Sequence, residues 1–154
     1  MQKKLSKAIY LIVCFIFFLW VNLYCSTQLV RQLDLGLKFS TDFLSITFVK
    51  NYGAAFSILQ NSREMLIILS VIAITLLFVY VIKHLKTISF KAIFFVSVLA
   101  SGIAGNLHER IAYGYVRDFF EIKLFNFPVF NISDIFITIG VIALIIMILI
   151  KKTR

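Results

Sequence analysis

The sequence predicts an all-α integral membrane protein with four transmembrane helices, and three observations carry that expectation. The 154 residues are 61% hydrophobic and only 15% charged, more apolar than a soluble domain of this size can bury. Four apolar runs, about 8–24, 65–82, 92–107 and 131–150, have the length that a hydrocarbon core of about 30 Å requires of a helix. The basic residues are segregated. Lys3, Lys4 and Lys7 precede the first run, Lys83, Lys86 and Lys91 join the second to the third, and Lys151, Lys152 and Arg154 follow the fourth, with no acid among them. The positive-inside rule therefore puts both termini and the 83–91 loop in the cytoplasm and residues 25–64 and 108–130 outside. The net charge of +9 is absorbed by this topology, so nucleic acid is not the expected partner.

The first run is an uncleaved helix. Its basic start and Cys25 mimic a lipoprotein signal, but Tyr24 stands where a cleavage site favours a small residue. The polar stretch 22–28 (Asn-Leu-Tyr-Cys-Ser-Thr-Gln) reads as the end of that helix. Cys14 and Cys25 are too far apart on one helix to pair and serve as apolar filler, while His84 and His108 fall on opposite sides of the membrane. No metal site can be assembled from them.

In the outer segment, 43–49 (Phe-Leu-Ser-Ile-Thr-Phe-Val) is β-branched and aromatic, a strand signal. Asn51 and Gly53 follow in 51–57 (Asn-Tyr-Gly-Ala-Ala-Phe-Ser), where small residues permit close backbone approach; taken alone, Asn51 is a turn residue after a strand. Ser62 is placed to cap the second helix, with Glu64 favourable in its first turn. That helix is a structural wall. The third carries small residues at 100–105 (Ala-Ser-Gly-Ile-Ala-Gly), suited to close packing in lipid. Asn106 and Arg110, four apart, share one face at its outer end, where Arg110 is either a site residue or a snorkelling one.

Residues 111–130 read as a short polar loop, with Asp118 in it and turns at Gly114 and Pro128. The fourth helix opens with Asn131 as N-cap and Asp134 as the carboxylate three residues on, the pattern of a capping box. Capping accounts for one acid. It does not account for Asp118, nor for Asn106, Arg110 and Asn131 gathering at the same level. Measured up from Lys151 at 1.5 Å per residue, Asp134 lies roughly 25 Å along the helix, about one turn below the outer surface. An acid at that depth costs about 3 kcal/mol and marks a functional site by default.

With these residues assembled, the chain resembles the signal peptidase II (lipoprotein signal peptidase) family of bacterial inner-membrane aspartic proteases over nearly its whole length. The matching stretches are 51–57, Gly105-Asn106 with Arg110, Val-Arg-Asp-Phe at 116–119, Phe-Pro-Val-Phe-Asn-Ile-Ser-Asp at 127–134 and Thr-Ile-Gly at 138–140. The resemblance implies a periplasmic β-platform between the first and second helices, and a single peptidase domain over 1–154. It implies removal of the signal peptide from diacylglyceryl-modified prolipoproteins, cutting before the lipidated cysteine. Asp118 and Asp134 map to its catalytic pair, and Asn51, Gly53, Asn106, Arg110 and Asn131 to positions that support the pair or touch substrate. No cofactor is implied, and the expected state is a monomer in contact with membrane lipid. Two departures stand out. The family usually ends its first span with Asp-Gln-x-Ser/Thr-Lys, whereas the stretch 22–28 here has neither the acid nor the lysine, with Asn22 as a remnant, and Glu109 replaces the usual Asp before the arginine. They leave open an alternative, a divergent copy that binds lipidated peptides with weak or no activity. A proton-coupled carrier fits less well, because the ionisable groups crowd one level instead of crossing the membrane depth.

Overall fold

The computed structural model describes residues 2–53, 59–60, 62–124 and 127–152. Residues 54–57 of the 51–57 motif, and Arg154 of the basic C-terminal segment, lie outside them. Four helices are long and apolar enough to cross a membrane: α1 (Gln2–Asp34), α2 (Arg63–Lys83), α3 (Phe90–Tyr113) and α4 (Ile132–Lys152). The organising element is α3, which packs against each of the other three and has over half of its apolar window buried, against about a tenth for the others. Small side chains make this possible. A Cβ on Gly102 would sit 2.6 Å from the Ser133 carbonyl oxygen of α4, so that contact closes only with glycine there.

The first helix does not end at 22–28. It continues to Asp34, about 50 Å at 1.5 Å per residue, well beyond a hydrocarbon core. Polar residues alone do not break a helix. Thr27 folds its hydroxyl back to the Leu23 carbonyl, and Asn22 and Ser26 turn inward and are buried. Gly36, with φ near +90°, ends it: Gly36 N–H donates to Leu33 O (3.0 Å) and Leu37 N–H to Gln32 O (2.9 Å), a Schellman closure. Ser62 precedes α2 but its hydroxyl makes no cap bond. Arg63 instead reaches across to the C-terminal carbonyls of α3, donating to Arg110 O (2.9 Å) and Ile111 O (3.2 Å). Ser89 does cap α3, accepting from Ala92 N–H at 3.1 Å.

The sheet is larger than expected. Strands β1 (Phe39–Ser40) and β2 (Leu44–Asn51) come from the α1–α2 segment, and β3 (Val116–Ile122) from the α3–α4 connection, antiparallel in the order β1-β2-β3. Asp118 therefore lies on a strand, not in a polar loop. Residues 116–119 escape the strand signal because all four are buried, so the alternation of a half-exposed strand is missing. The sheet places Asp118 opposite Val49 and Val116 opposite Asn51.

Candidate active site

Local structure delivers each side chain to one point. Helix α3 ends at Gly114, whose φ near +85° lets the chain turn back at once into β3, so Asp118 returns beside the helix that carries Asn106 and Arg110. The chain then pairs with itself: Phe119 and Phe120 N–H both donate to Phe130 O, and Phe130 N–H donates back to Phe120 O at 3.0 Å. That bridge sets Asn131 beside Asp118. On the other side, β2 ends at Asn51, next to its β3 partners.

Asp118 is 2% exposed. Its Oδ2 accepts from Asn51 Nδ2 at 2.9 Å and its Oδ1 from Asn131 Nδ2 at 2.7 Å. Asp134 accepts from Asn106 Nδ2 at 2.9 Å through Oδ1 and from Asn131 N–H at 3.1 Å through Oδ2. Asn131 Oδ1 in turn accepts from Asp134 N–H at 3.1 Å, so the capping box is real. Capping and site are the same network. The second Nδ2 hydrogen of Asn131 goes to Asn106 Oδ1 at 3.2 Å, which makes Asn131 the link between the two acids.

None of the three asparagines can turn its amide around. The Oδ1 of Asn51 is held by Gly53 N–H (2.9 Å), that of Asn131 by Asp134 N–H and that of Asn106 by Asn131 Nδ2. Each must present N–H groups to the acids, and only side chains with acceptors on both arms can receive them. Burial pushes the Asp118 carboxyl up to about 6, the bonds from Asn51 and Asn131 oppose that shift, the Asp134 charge adds to it and the Arg110 charge pulls against it.

Arg110 is 8% exposed, which rules out snorkelling. It holds neither carboxylate. Its Nη2 donates to Gly53 O at 2.8 Å and its Nη1 more weakly to Asn106 O at 3.4 Å, so its contribution to the acids is its charge and the backbone it fixes. All seven site residues named from the sequence thus belong to one connected cluster: Asn51, Gly53, Asn106, Arg110, Asp118, Asn131 and Asp134. Except for Gly53 and Asn131, they line a cavity of about 710 Å³ whose further walls include Phe130, Ile137 and Thr138. Among the described residues, no three His, Cys, Asp or Glu side chains are placed to hold a metal ion.

Two buried polar pairs at this end were not foreseen. Asn22 Nδ2 donates to Ser133 Oγ at 2.8 Å, with Gly105 leaving just enough room for both. Glu109 pairs with Arg117 through two bonds, of 2.5 and 2.6 Å. Both pairs involve positions where the sequence departs from the family pattern. The only sequence signal was adjacency, since Ser133 precedes Asp134, Glu109 precedes Arg110 and Arg117 precedes Asp118.

A family model described as signal peptidase (SPase) II matches residues 10–150. A lipoprotein signal peptidase of Caldicellulosiruptor bescii is 45% identical over 106 residues, 69% of this chain and 67% of its own. One from Campylobacter jejuni is 34% identical over 145 residues, 91% of this chain and 92% of its own, and one from Streptococcus agalactiae is 33% identical over 120 residues, 77% of each. A solved structure described as a bacterial membrane enzyme, at 2.3 Å resolution, superposes with a TM-score of 0.78 at 30% identity, covering 92% of this chain and 88% of that one.

Proposed function

The chain belongs to the signal peptidase II family, a family of peptidases, and from that premise we propose that Asp118 and Asp134 are its catalytic pair, acting on diacylglyceryl-modified prolipoproteins. The observation that carries this reading is the bridge at Asn131, which ties the buried carboxyl of Asp118 and the half-buried carboxyl of Asp134, both lining one cavity, into a single hydrogen-bond network. Like charges in so confined a site do not both ionise readily, so the pair shares a proton and titrates as a unit. Burial and the Asp134 charge favour the neutral form of Asp118, and in this reading Asp118 is the proton donor. Asp134, ionised, takes a proton from the attacking water. Asp118 donates to the scissile carbonyl oxygen; as the tetrahedral diol collapses, the proton held by Asp134 passes to the leaving amine nitrogen and a diol hydroxyl returns its proton to Asp118.

The cavity fits a substrate that is part peptide and part lipid. Its polar floor is the acid pair with Asn51, Asn106 and Arg110, while Phe130 and Ile137 supply apolar wall. In this reading the acyl chains stay in the bilayer while the scissile bond reaches the acids. The protein works as a single membrane-embedded domain and as a monomer in the bacterial inner membrane, with both termini cytoplasmic and the site at the outer face. The alternative of an inactive peptide binder rested on the missing acid and lysine at the end of the first span and on Glu109. Asn22 and Glu109 are buried and bonded, which supports an intact site at those two positions. Complementation tests the proposal. In a strain depleted of its own lipoprotein signal peptidase, this chain restores growth and lipoprotein maturation, and its Asp134→Asn variant does not; failure of the unmodified, membrane-inserted protein would overturn it.

A further inference from the structure

The carboxylate of Glu109 and the guanidinium of Arg117 meet across the tight turn between α3 and β3. Helix α3 stops at Tyr113, Gly114 takes a left-handed conformation and β3 begins at Val116, so the strand that carries Asp118 hangs from the helix that carries Asn106 and Arg110 by a two-residue hinge. A hinge with a glycine in it does not by itself fix the angle between its arms. Glu109 and Arg117 lie one on each arm. Arg117 Nε donates to Glu109 Oε2 at 2.6 Å and Arg117 Nη2 to Glu109 Oε1 at 2.5 Å, a fork-to-carboxylate geometry that resists rotation as well as separation. The pair is 4% and 8% exposed, and the guanidinium lies 4.4 Å over the Tyr113 ring, the last residue before the hinge.

The charges are interdependent. Burial opposes the charge on Arg117, and the Glu109 carboxylate more than offsets it, holding the guanidinium above its ordinary pKa. The cross-strand neighbour of Arg117 is Lys50, a like charge that gives no help. This is also the one salt bridge among the described residues. On a pleated strand Arg117 points away from Asp118, so the pair reaches the acid through the backbone, not by touching reacting atoms. Its neighbour Arg110 performs the matching task on the other strand, anchoring Gly53 just past the end of β2.

We propose that Glu109 and Arg117 form a positioning clamp that closes the α3–β3 hinge and sets where Asp118 stands relative to Asp134. The extra methylene of Glu109 is then the length the clamp needs to meet Arg117, so the departure from aspartate is part of the site's construction. The proposal rests on Asp118 being catalytic, and its test separates the two. Purified full-length protein is assayed on a fluorogenic diacylglyceryl-modified lipopeptide as four forms: unmodified, Arg117→Lys, the neutral double variant Glu109→Gln with Arg117→Met, and Asp118→Asn. Arg117→Lys keeps the buried charge paired while removing the fork, and the double variant strands no charge, so each guards against misfolding of the other.

The clamp predicts that kcat per folded molecule falls at least about tenfold in both clamp variants, with KM within about twofold, since a misplacement of about 1 Å costs on the order of a hundredfold. A merely structural pair would lower the folded yield and leave kcat per folded molecule unchanged. Unmodified kcat in the double variant, or a rise confined to KM, overturns the clamp while an inactive Asp118→Asn leaves the catalytic reading standing. An active Asp118→Asn removes that reading, and the clamp with it.

Discussion

The two ends of the helix bundle are held together by different physics. Toward the α2–α3 loop, Leu11, Val81, Ile93 and Val96 form a buried apolar cluster, with Phe78 and Leu144 packed on it. At the other end, Asn22, Glu109, Arg110, Arg117, Asp118, Asn131 and Ser133 are as thoroughly buried, and every buried side-chain polar atom among the described residues has a partner. In lipid the apolar end gains little from the hydrophobic effect, because hydrocarbon surrounds it in either case, and it holds by close packing. The polar end is directional. Its geometry is fixed by donors that cannot turn around, and its acids cannot be exchanged for amides without leaving N–H facing N–H. Rigidity of the second kind is what acid–base chemistry requires, and the first kind keeps the helices in place for it.

Substitutions should divide along the same line. The largest effect is expected for Asp118→Asn and Asp134→Asn, which keep the side-chain shape and lose the proton: cleavage of a lipidated peptide falls by roughly 10²–10⁴-fold or more. Circular dichroism should show unchanged helical content. A variant that cleaves normally would reduce Asp134 to the helix cap it also is. Next is Asn131→Ala, which strips a donor from Asp118, a donor from Asn106 and the cap acceptor of α4 at once; about a hundredfold loss in kcat is expected, comparable to removing one well-placed donor in other sites. Arg110→Lys keeps the charge and loses the planar grip on the Gly53 carbonyl, and about tenfold is expected from steady-state kinetics. At the opposite end, Ile93→Ala should cost about 2 kcal/mol of stability in detergent unfolding and leave kcat of the folded protein alone. A kinetic effect there would mean that the two ends are coupled.

The four spans were legible because runs of about 20 apolar residues have few other uses. Asn106, Arg110, Asn131 and Asp134 stood out because polar residues at one membrane depth need a common reason, whereas Asn51 and Gly53 were named only through the family resemblance. What remained hidden was whatever depended on a partner distant in sequence. Asn22 looked like helix termination because its bond goes to Ser133, 111 residues away. Residues 116–122 looked like a loop because burial on both faces erases alternation. Arg110 stood between a site residue and a snorkelling one, and the fold shows that it is buried and holds the backbone at Gly53.

The central claim, that the carboxyl groups of Asp118 and Asp134 share one proton, meets its most direct test in the pH dependence of kcat/KM for a lipidated peptide between pH 4.5 and 8. A carboxyl raised from 3.8 to about 6 keeps its proton about two pH units longer than an ordinary aspartate. If Asp118 acts in its protonated form, that form dominates below pH 6 and is lost above it. The account predicts kcat/KM that declines above about pH 6, approaching tenfold per unit. Activity that is flat through pH 8, or that already falls above pH 4 as for an unperturbed acid, would contradict it.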